Sequence, residues 1–473
     1  MHRLSPIDQG FLIAESRETP MHIGGLYLFT LPEGADEQEF LWDMHNILTS
    51  VDEWRRPFGH KLKSSAMGAV AHWVPDEHLD VDYHVRHSAL PKPGRYRELF
   101  QLVGRLHQTL LDRHRPLWET HLIEGLQNRQ FALYSKVHHA AVDGVAAMRL
   151  AMAFYTADPG ERRDYSPYSM EAERRYRAMR EAAKEAKARA SEPPSDQEVN
   201  VVAEVLRESF GLSRHLMGSL REYARAWRKP AEKQLATSWK VSPQTSFSTK
   251  VTGARRFVAQ SYSLDRVKAV GKAMGGTVND VVLAMCGGGL RRYLKDRGEL
   301  PTDPLTAMTP VSIRTEKRGE YGNSVGALVA NLATHLDDAA ERFRATQASM
   351  NEGKDLLRGM SPKEVELFTQ LTQAPAMLVG ALGLADRFPP YSTVISNVPG
   401  PSRTVYYNGA RIDGMYPMSS VYHGFALNFT LISNADQLDF GIIACRESAP
   451  SIQRIIDDLE DALVDLEEAA GIR

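Results

Sequence analysis

Residues 131–137 read Phe-Ala-Leu-Tyr-Ser-Lys-Val, and the next seven read His-His-Ala-Ala-Val-Asp-Gly. Phe131, Leu133, Ser135 and Val137 alternate with Ala132, Tyr134 and Lys136, which is the period of two of a half-buried strand. That strand has little room to continue. Asp143 and Gly144 form a tight turn, and helix-like sequence begins near Val145. A strand breaking into a turn and then a helix commits this region to an α/β arrangement. It also leaves His138 and His139 at a strand end, where a side chain can project into a cleft.

The rest of the 473 residues divides into three parts. Residues 1–160 mix short strands such as "GGLYLFTL" with a helix in "RELFQLVGRLHQTLLD", where Leu99, Leu102, Val103, Leu106 and Leu110 share a side. Residues 161–252 read as a charged helical linker broken by "SEPPSDQE". Its second helix carries a stripe of Leu212, Leu216, Leu220, Tyr223 and Trp227, with Arg221, Arg225, Arg228 and Lys229 off that stripe. The stripe packs on the protein, as most amphipathic helices do; the alternative is a membrane interface. Residues 253–473 return to mixed α and β. "VNDVVLAMCGGGLRRYL" and "SIQRIIDDLEDALVDLEEA" are helices, and "FALNFTLISNADQLDFGIIAC" is a pair of strands turning at 434–436. Two α/β domains of mixed sheets and helices, with a cleft between them, are the expected architecture.

Composition excludes more than it selects. A net charge of −2 draws the chain to neither nucleic acid nor anionic lipid as a whole. Cys286 and Cys445 sit in apolar settings and are expected as buried free thiols. The longest apolar run, "APAMLVGALGLA" at 374–385, is shorter than the ~20 residues a membrane span needs. It reads first as a core helix, and second as the wall of a lipid tunnel or a patch that dips into lipid. The first residues carry no leader-like apolar run. A cytoplasmic protein, peripheral on a membrane or lipid inclusion if it touches lipid at all, is expected.

The histidine pair is not a metal site on this reading. A metal needs three or four converging ligands, adjacent histidines point different ways, and no HExxH or CxxC companion is present. A structural pair is one alternative. The other is a general base: a neutral imidazole can take a proton from a hydroxyl. No G-x-S-x-G elbow supplies a protein nucleophile. The base would therefore serve direct attack by a substrate hydroxyl or amine on an activated acyl group.

"HHAAVDG" is similar to the HHxxxDG signature of the acyltransferase superfamily that includes chloramphenicol acetyltransferase and the condensation domains of peptide synthetases. "SRETPMH", "RPLWE" (115–119), "VNDVVLA" (278–284), "PVSIR" (310–314), "ISNVPGP" (395–401) and "ALNFTLIS" (426–433) narrow the resemblance. In order and spacing they resemble the bacterial wax ester synthase/acyl-CoA:diacylglycerol acyltransferases over nearly the whole chain. One departure is "PQTSFSTKVTG" before "ARRF", where that family usually carries an Asn-Gly stretch; no role is carried over for that loop.

The resemblance implies two chloramphenicol acetyltransferase-like sandwich domains and a tunnel reached from two sides. It implies His139 as general base, acting on a long-chain alcohol or a diacylglycerol, with fatty acyl-CoA as the second substrate and no cofactor. His138 shapes the loop or contacts substrate. Asp143 fixes the loop and tautomer of His139, with Arg314 as a candidate partner. Asn279 is either the oxyanion donor or a helix cap, and Asp280 serves the helix N-terminus. Pro116, Leu117 and Trp118 either line the substrate channel or pack the core, Gly144 borders the substrate site, and the SNVPGP loop adjoins it. "LDFG" at 438–441 is structural, and "CGGGL" at 286–290 follows helix sequence and is no phosphate loop. Acyl transfer on a carrier protein, or a silent scaffold on lipid inclusions, are the competing readings, and the oligomeric state is open.

Overall fold

The strand read from its alternation runs Gln130–His138. It lies fourth in a six-stranded sheet ordered Tyr406–Tyr407, Ala410–Met418, His22–Thr30, Gln130–His138, Trp118–Glu124, Val85–Ala89. The structure is a computed structural model and describes residues 2–64, 71–142, 144–152, 154–190, 216–228, 236–312, 325–358 and 360–473. A second six-stranded sheet is ordered Val325–Asn331, Thr306–Ser312, Thr393–Val398, Leu427–Asn434, Gln437–Cys445, Arg255–Ser263. Both sheets are mixed: Thr393–Val398 runs parallel to each of its neighbours, and Val85–Ala89 runs parallel to Trp118–Glu124. A three-stranded sheet of His2–Arg3, Ala71–Pro75 and His60–Ser64 stands apart.

Each large sheet buries one face under helices, because each strand alternates. In the second sheet Ala307, Ile395, Leu427, Phe429 and Leu431 join Val281, Val282 and Met285 of the helix Val278–Asp296 in one core. The residues between them, Met308, Val394, Ser396, Asn428 and Thr430, face the other way, toward the first sheet. "CGGGL" lies inside that helix, where the glycines let the C-terminal helix Arg454–Ala469 come close: a Cβ on Gly288 would stand 2.7 Å from the Ala462 methyl. Cys286 and Cys445 are both buried and free.

The division at 253 does not hold in space. After Thr393–Val398 the chain leaves the second sheet and lays Ala410–Met418 along His22–Thr30 of the first. "LDFG" anchors this crossing. The buried Asp439 carboxylate accepts hydrogen bonds from Met415 N (2.7 Å), Ser261 Oγ (2.6 Å) and Asn434 Nδ2 (3.0 Å). Burial nonetheless pushes its pKa up to about 6. Gly441 is required here, since a Cβ would meet Pro417 O at 1.8 Å.

The linker is partly docked. Met170–Ala190 is a helix braced by Arg175–Glu171 (2.7 Å) and Arg177–Glu173 (2.9 Å) pairs, and its start is buried at Ala172 and Glu173. Residues 216–228 are helical, with Leu216, Tyr223 and Ala226 packed on Leu356 and Phe368. The predicted stripe thus packs on the protein, although Trp227 stays half exposed; Leu212 and Lys229 lie outside the described residues.

The core expectation for "APAMLVGALGLA" is corrected. Most of it belongs to the helix Pro362–Ala381, and Met377, Leu378 and Leu382 are 68%, 60% and 62% exposed. The helix packs through Val365 and Phe368, nearer its N-terminus, so the apolar run is left outward. Among the described residues no helix is long and apolar enough to cross a membrane.

Candidate active site

Adjacent strand residues point to opposite faces, and this separates the two histidines. His138 is fully buried. Its N–H donates to Leu117 O (2.9 Å), its Nδ1 accepts from Ala140 N (3.0 Å), and its Nε2 stands 3.3 Å from Glu15 Oε1. Its carbonyl accepts from Ala141 N (2.9 Å), which starts the turn. His138 is therefore a fixture of the loop and does not reach the cavity. His139 faces the cavity. Its N–H donates to Met21 O (2.8 Å), and its ring stacks on Phe11 at 4.2 Å and 15°.

Glu15 ties these pieces together. It accepts from Met21 N (3.1 Å) and from Arg113 (2.9 Å) as well as facing His138. Burial would raise its pKa, but the His138 hydrogen bond and charge, and then Arg113, outweigh that and hold the carboxyl below its usual range. Behind the loop lies a second buried polar layer. Lys136 Nζ donates to Leu106 O (3.0 Å) and Thr109 O (2.8 Å) and sits 3.4 Å from Glu119. His107 bonds Tyr134 Oη (2.8 Å) through Nδ1, and His22 Nε2 bonds His107 O (2.5 Å). Burial lowers the His107 pKa to about 3 and holds that of His22 well below its usual value. Both imidazoles are neutral.

The cavity beside His139 measures about 490 Å³, within the size range of small-ligand sites. One wall is the first sheet, a second is the helix Gly144–Met152, and the third is the face of the second sheet turned toward the first. The cavity lies between the two halves of the chain, and most of its lining surface is apolar. Among the described residues no cluster of three or more histidines, cysteines or carboxylates could hold a metal.

The structure distributes the expected site residues unequally. Gly144 lines the cavity, and a Cβ there would meet nothing within 4 Å. Trp118 lines it too, with its Nε1 donating to Phe58 O (2.9 Å) and its ring against His84 and Tyr168. Pro116 and Leu117 are buried but do not line it; Leu117 packs with Leu4, Leu12 and Ala140. Of "PLWE", Trp118 reaches the cavity wall, while Pro116 and Leu117 do not. Ser396, Asn397 and Val398 of the SNVPGP loop border the cavity, and Gly400 lets the turn press on Ser433, where a Cβ would stand 2.2 Å from the carbonyl oxygen. Asp143 and Arg314 lie outside the described residues.

Asn279 requires a correction. Its helix packs on the face of the second sheet turned away from the cavity, and Asn279 is not among the residues that line the cavity. It is not the cap either. Thr277 caps the helix by accepting from Asp280 N (3.3 Å), and Asp280 accepts in return from Thr277 N (2.9 Å). A polar pair that the sequence reading passed over does face the cavity: Asn428 and Thr430, at i and i+2 of the strand Leu427–Asn434. Thr430 Oγ1 donates to Asn428 Oδ1 (2.7 Å). The signal was present, because two polar residues on one face of a buried strand need a partner. Glu15 had no such signal.

The sequence profile of the wax ester synthase/diacylglycerol acyltransferase catalytic domain matches residues 4–282, and that of the family's C-terminal domain matches residues 321–467. The chain belongs to this family. A probable diacylglycerol O-acyltransferase of Mycobacterium tuberculosis is 44% identical over 476 residues, with all of both chains covered. The O-acyltransferase WSD of Acinetobacter baylyi is 37% identical, covering 98% of this chain and 96% of its own. The solved wax ester synthase/diacylglycerol acyltransferase of Marinobacter aquaeolei is 41% identical, with a TM-score of 0.77 over all of both chains. A starter condensation domain of rhizomide synthetase shares the fold alone, at 12% identity and a TM-score of 0.54 over 99% of this chain and 94% of its own. In wax ester synthase/diacylglycerol acyltransferase terms, the HHxxxDG signature here splits into one buried and one cavity-facing histidine.

Proposed function

We propose that this protein transfers a fatty acyl group from acyl-CoA to the hydroxyl of a long-chain alcohol or a diacylglycerol, releasing wax ester or triacylglycerol and CoA. The observation that carries the reading is His139 at the wall of a mostly apolar cavity, in a chain of this family. His139 takes the hydroxyl proton as the oxygen attacks the thioester carbonyl. A C–O bond forms, the C–S bond breaks, and the imidazolium returns its proton to the CoA thiolate. Base catalysis of this kind supplies about 10²–10⁴-fold in rate. Asp143 orients His139, as the motif implies. We assign the developing oxyanion to the Asn428 amide: Oδ1 is engaged by Thr430, and among the described residues nothing accepts from Nδ2. Acyl-CoA is a substrate, and the reaction as written uses no cofactor.

We also propose that the protein works at a lipid surface. Leu371, Met377, Leu378, Leu382 and Phe388 are exposed on and just after the helix Pro362–Ala381. The buried side of that helix meets Gly326 through Val365 and Thr369, and Gly326 lines the cavity. Apolar surface next to the cavity wall suits the entry of a water-insoluble alcohol. The test is CoA release from palmitoyl-CoA with hexadecanol or dipalmitoylglycerol. Release that ignores the hydroxyl acceptor would end the reading. Binding to phosphatidylcholine vesicles should weaken for Leu378→Asp/Leu382→Asp, and unchanged binding would end the surface assignment.

A further inference from the structure

On the cavity face of the first sheet, side chains from three adjacent strands form rows. Nearest His139 is Ile23, Val137 and Trp118, paired across the sheet. The next row is Gly25, Ser135 and Thr120. Beyond it stand Tyr27 and Leu133. A band of small residues thus crosses three strands between bulky rows; the Tyr27 ring covers it at Gly25 and the Tyr168 hydroxyl at Thr120, which leaves a trough centred on Ser135 in the cavity floor. It is kept apolar in effect. Thr120 Oγ1 bonds Ser135 Oγ (2.9 Å) and Tyr168 Oη (2.6 Å), so the hydroxyls satisfy one another. In front of Gly25 the space is bounded by Tyr27, whose ring a Cβ would meet at 3.0 Å.

We infer that this trough is the subsite for the distal part of a linear hydrocarbon chain and sets the chain length accepted; the inference rests on the acyl-transfer reading above. Ser135 lies four residues from His139, about 13 Å along a strand. An all-trans chain advances about 1.25 Å per carbon from its bond lengths and angles, so a chain running from the reacting carbon along the strand reaches the trough near its tenth carbon. Acyl-CoA and alcohol both carry such a chain, and the experiment separates them.

The kcat/KM ratio for palmitoyl-CoA over octanoyl-CoA is measured with hexadecanol held constant, then the ratio for hexadecanol over octanol with palmitoyl-CoA held constant. Ser135→Leu, which fills the trough, should lower one or both ratios at least tenfold, the scale a few displaced methylenes set in an apolar pocket; the arm that moves names the chain. Ser135→Ala, which fills nothing, should shift neither ratio by more than about twofold. Should Ser135→Leu not fold, Ser135→Val carries the same test with a smaller drop. A folded Ser135→Leu protein whose ratios match the wild type, or whose rates fall equally at both lengths, overturns the subsite. A wild-type protein with no acceptor-dependent CoA release overturns the acyl-transfer reading itself, a different result.

Discussion

Glu15 holds the loop of the histidine pair without facing the cavity, and replacing it separates scaffold from the proposed chemistry. Its side chain is 3% exposed. It accepts from Met21 N (3.1 Å) and Arg113 (2.9 Å) and stands 3.3 Å from His138 Nε2. Glu15→Ala leaves the Met21 N–H and the His138 ring without this acceptor, at about 1–3 kcal/mol for each stranded buried group. A loss near 3–5 kcal/mol matches what breaking a buried charged pair costs. Glu15→Gln keeps an acceptor for Met21 and gives up only the charge facing Arg113 and His138, so it should cost roughly half as much. His139 hangs from the same segment through Met21 O (2.8 Å), and a displacement of about 1 Å can cost about 10²-fold in rate. The assay is urea unfolding of both variants, with kcat and KM measured well below the transition. The expected order for stability and kcat is wild type, then Gln, then Ala, with KM little changed. Glu15→Ala with wild-type stability and kcat would refute the clamp.

Three further outcomes follow from other parts of the molecule. Asn428→Ala should lower kcat about 10²-fold, the scale of one oxyanion donor, with KM nearly constant; an effect confined to KM would reassign Asn428 to substrate binding. The neutral His107, at about 3, and His22, depressed further than its usual 6.5, bind protons only on unfolding, so stability is full above pH 6.5 and falls as pH drops toward 3. His107 contributes a slope of about 1.4 kcal/mol per pH unit in that window, His22 acts in the same direction, and His107→Gln should flatten the slope measured by urea titration at pH 4–6.5. Gly441→Ala would place a Cβ 1.8 Å from Pro417 O and should unfold or misfold the crossing, read as loss of soluble, cooperatively melting protein; a well-folded variant would contradict that packing.

The strand that carries the histidine pair was legible because its alternation is local, whereas the turn after it falls at 139–141 and Gly144 already opens the helix. Residues 131–137 predict the strand, and their period places His138 and His139 on opposite faces. Long-range pairing leaves no such mark. Nothing in "ARIDGMYPM" says that Ala410–Met418 joins His22–Thr30 across almost four hundred positions, so the split at 253 read as a boundary. Asn279 shows a related limit: a motif shared with a family does not say on which side of a sheet its helix lies. The outward apolar run at Met377, Leu378 and Leu382 misled for a third reason, since hydrophobicity alone does not tell a buried face from an exposed one. Asn428 and Thr430 were within reach, as polar residues two apart on a buried strand, and were missed because the strand was read only for its apolar face.

The most direct measurement is CoA thiol release by the purified protein and by His139→Ala, with palmitoyl-CoA and either hexadecanol or dipalmitoylglycerol. Release that depends on the hydroxyl acceptor in the wild type and falls by about 10²-fold or more in a variant of unchanged melting temperature is the predicted result. Full acceptor-dependent release by His139→Ala would contradict the account, because no other residue here has been given the proton.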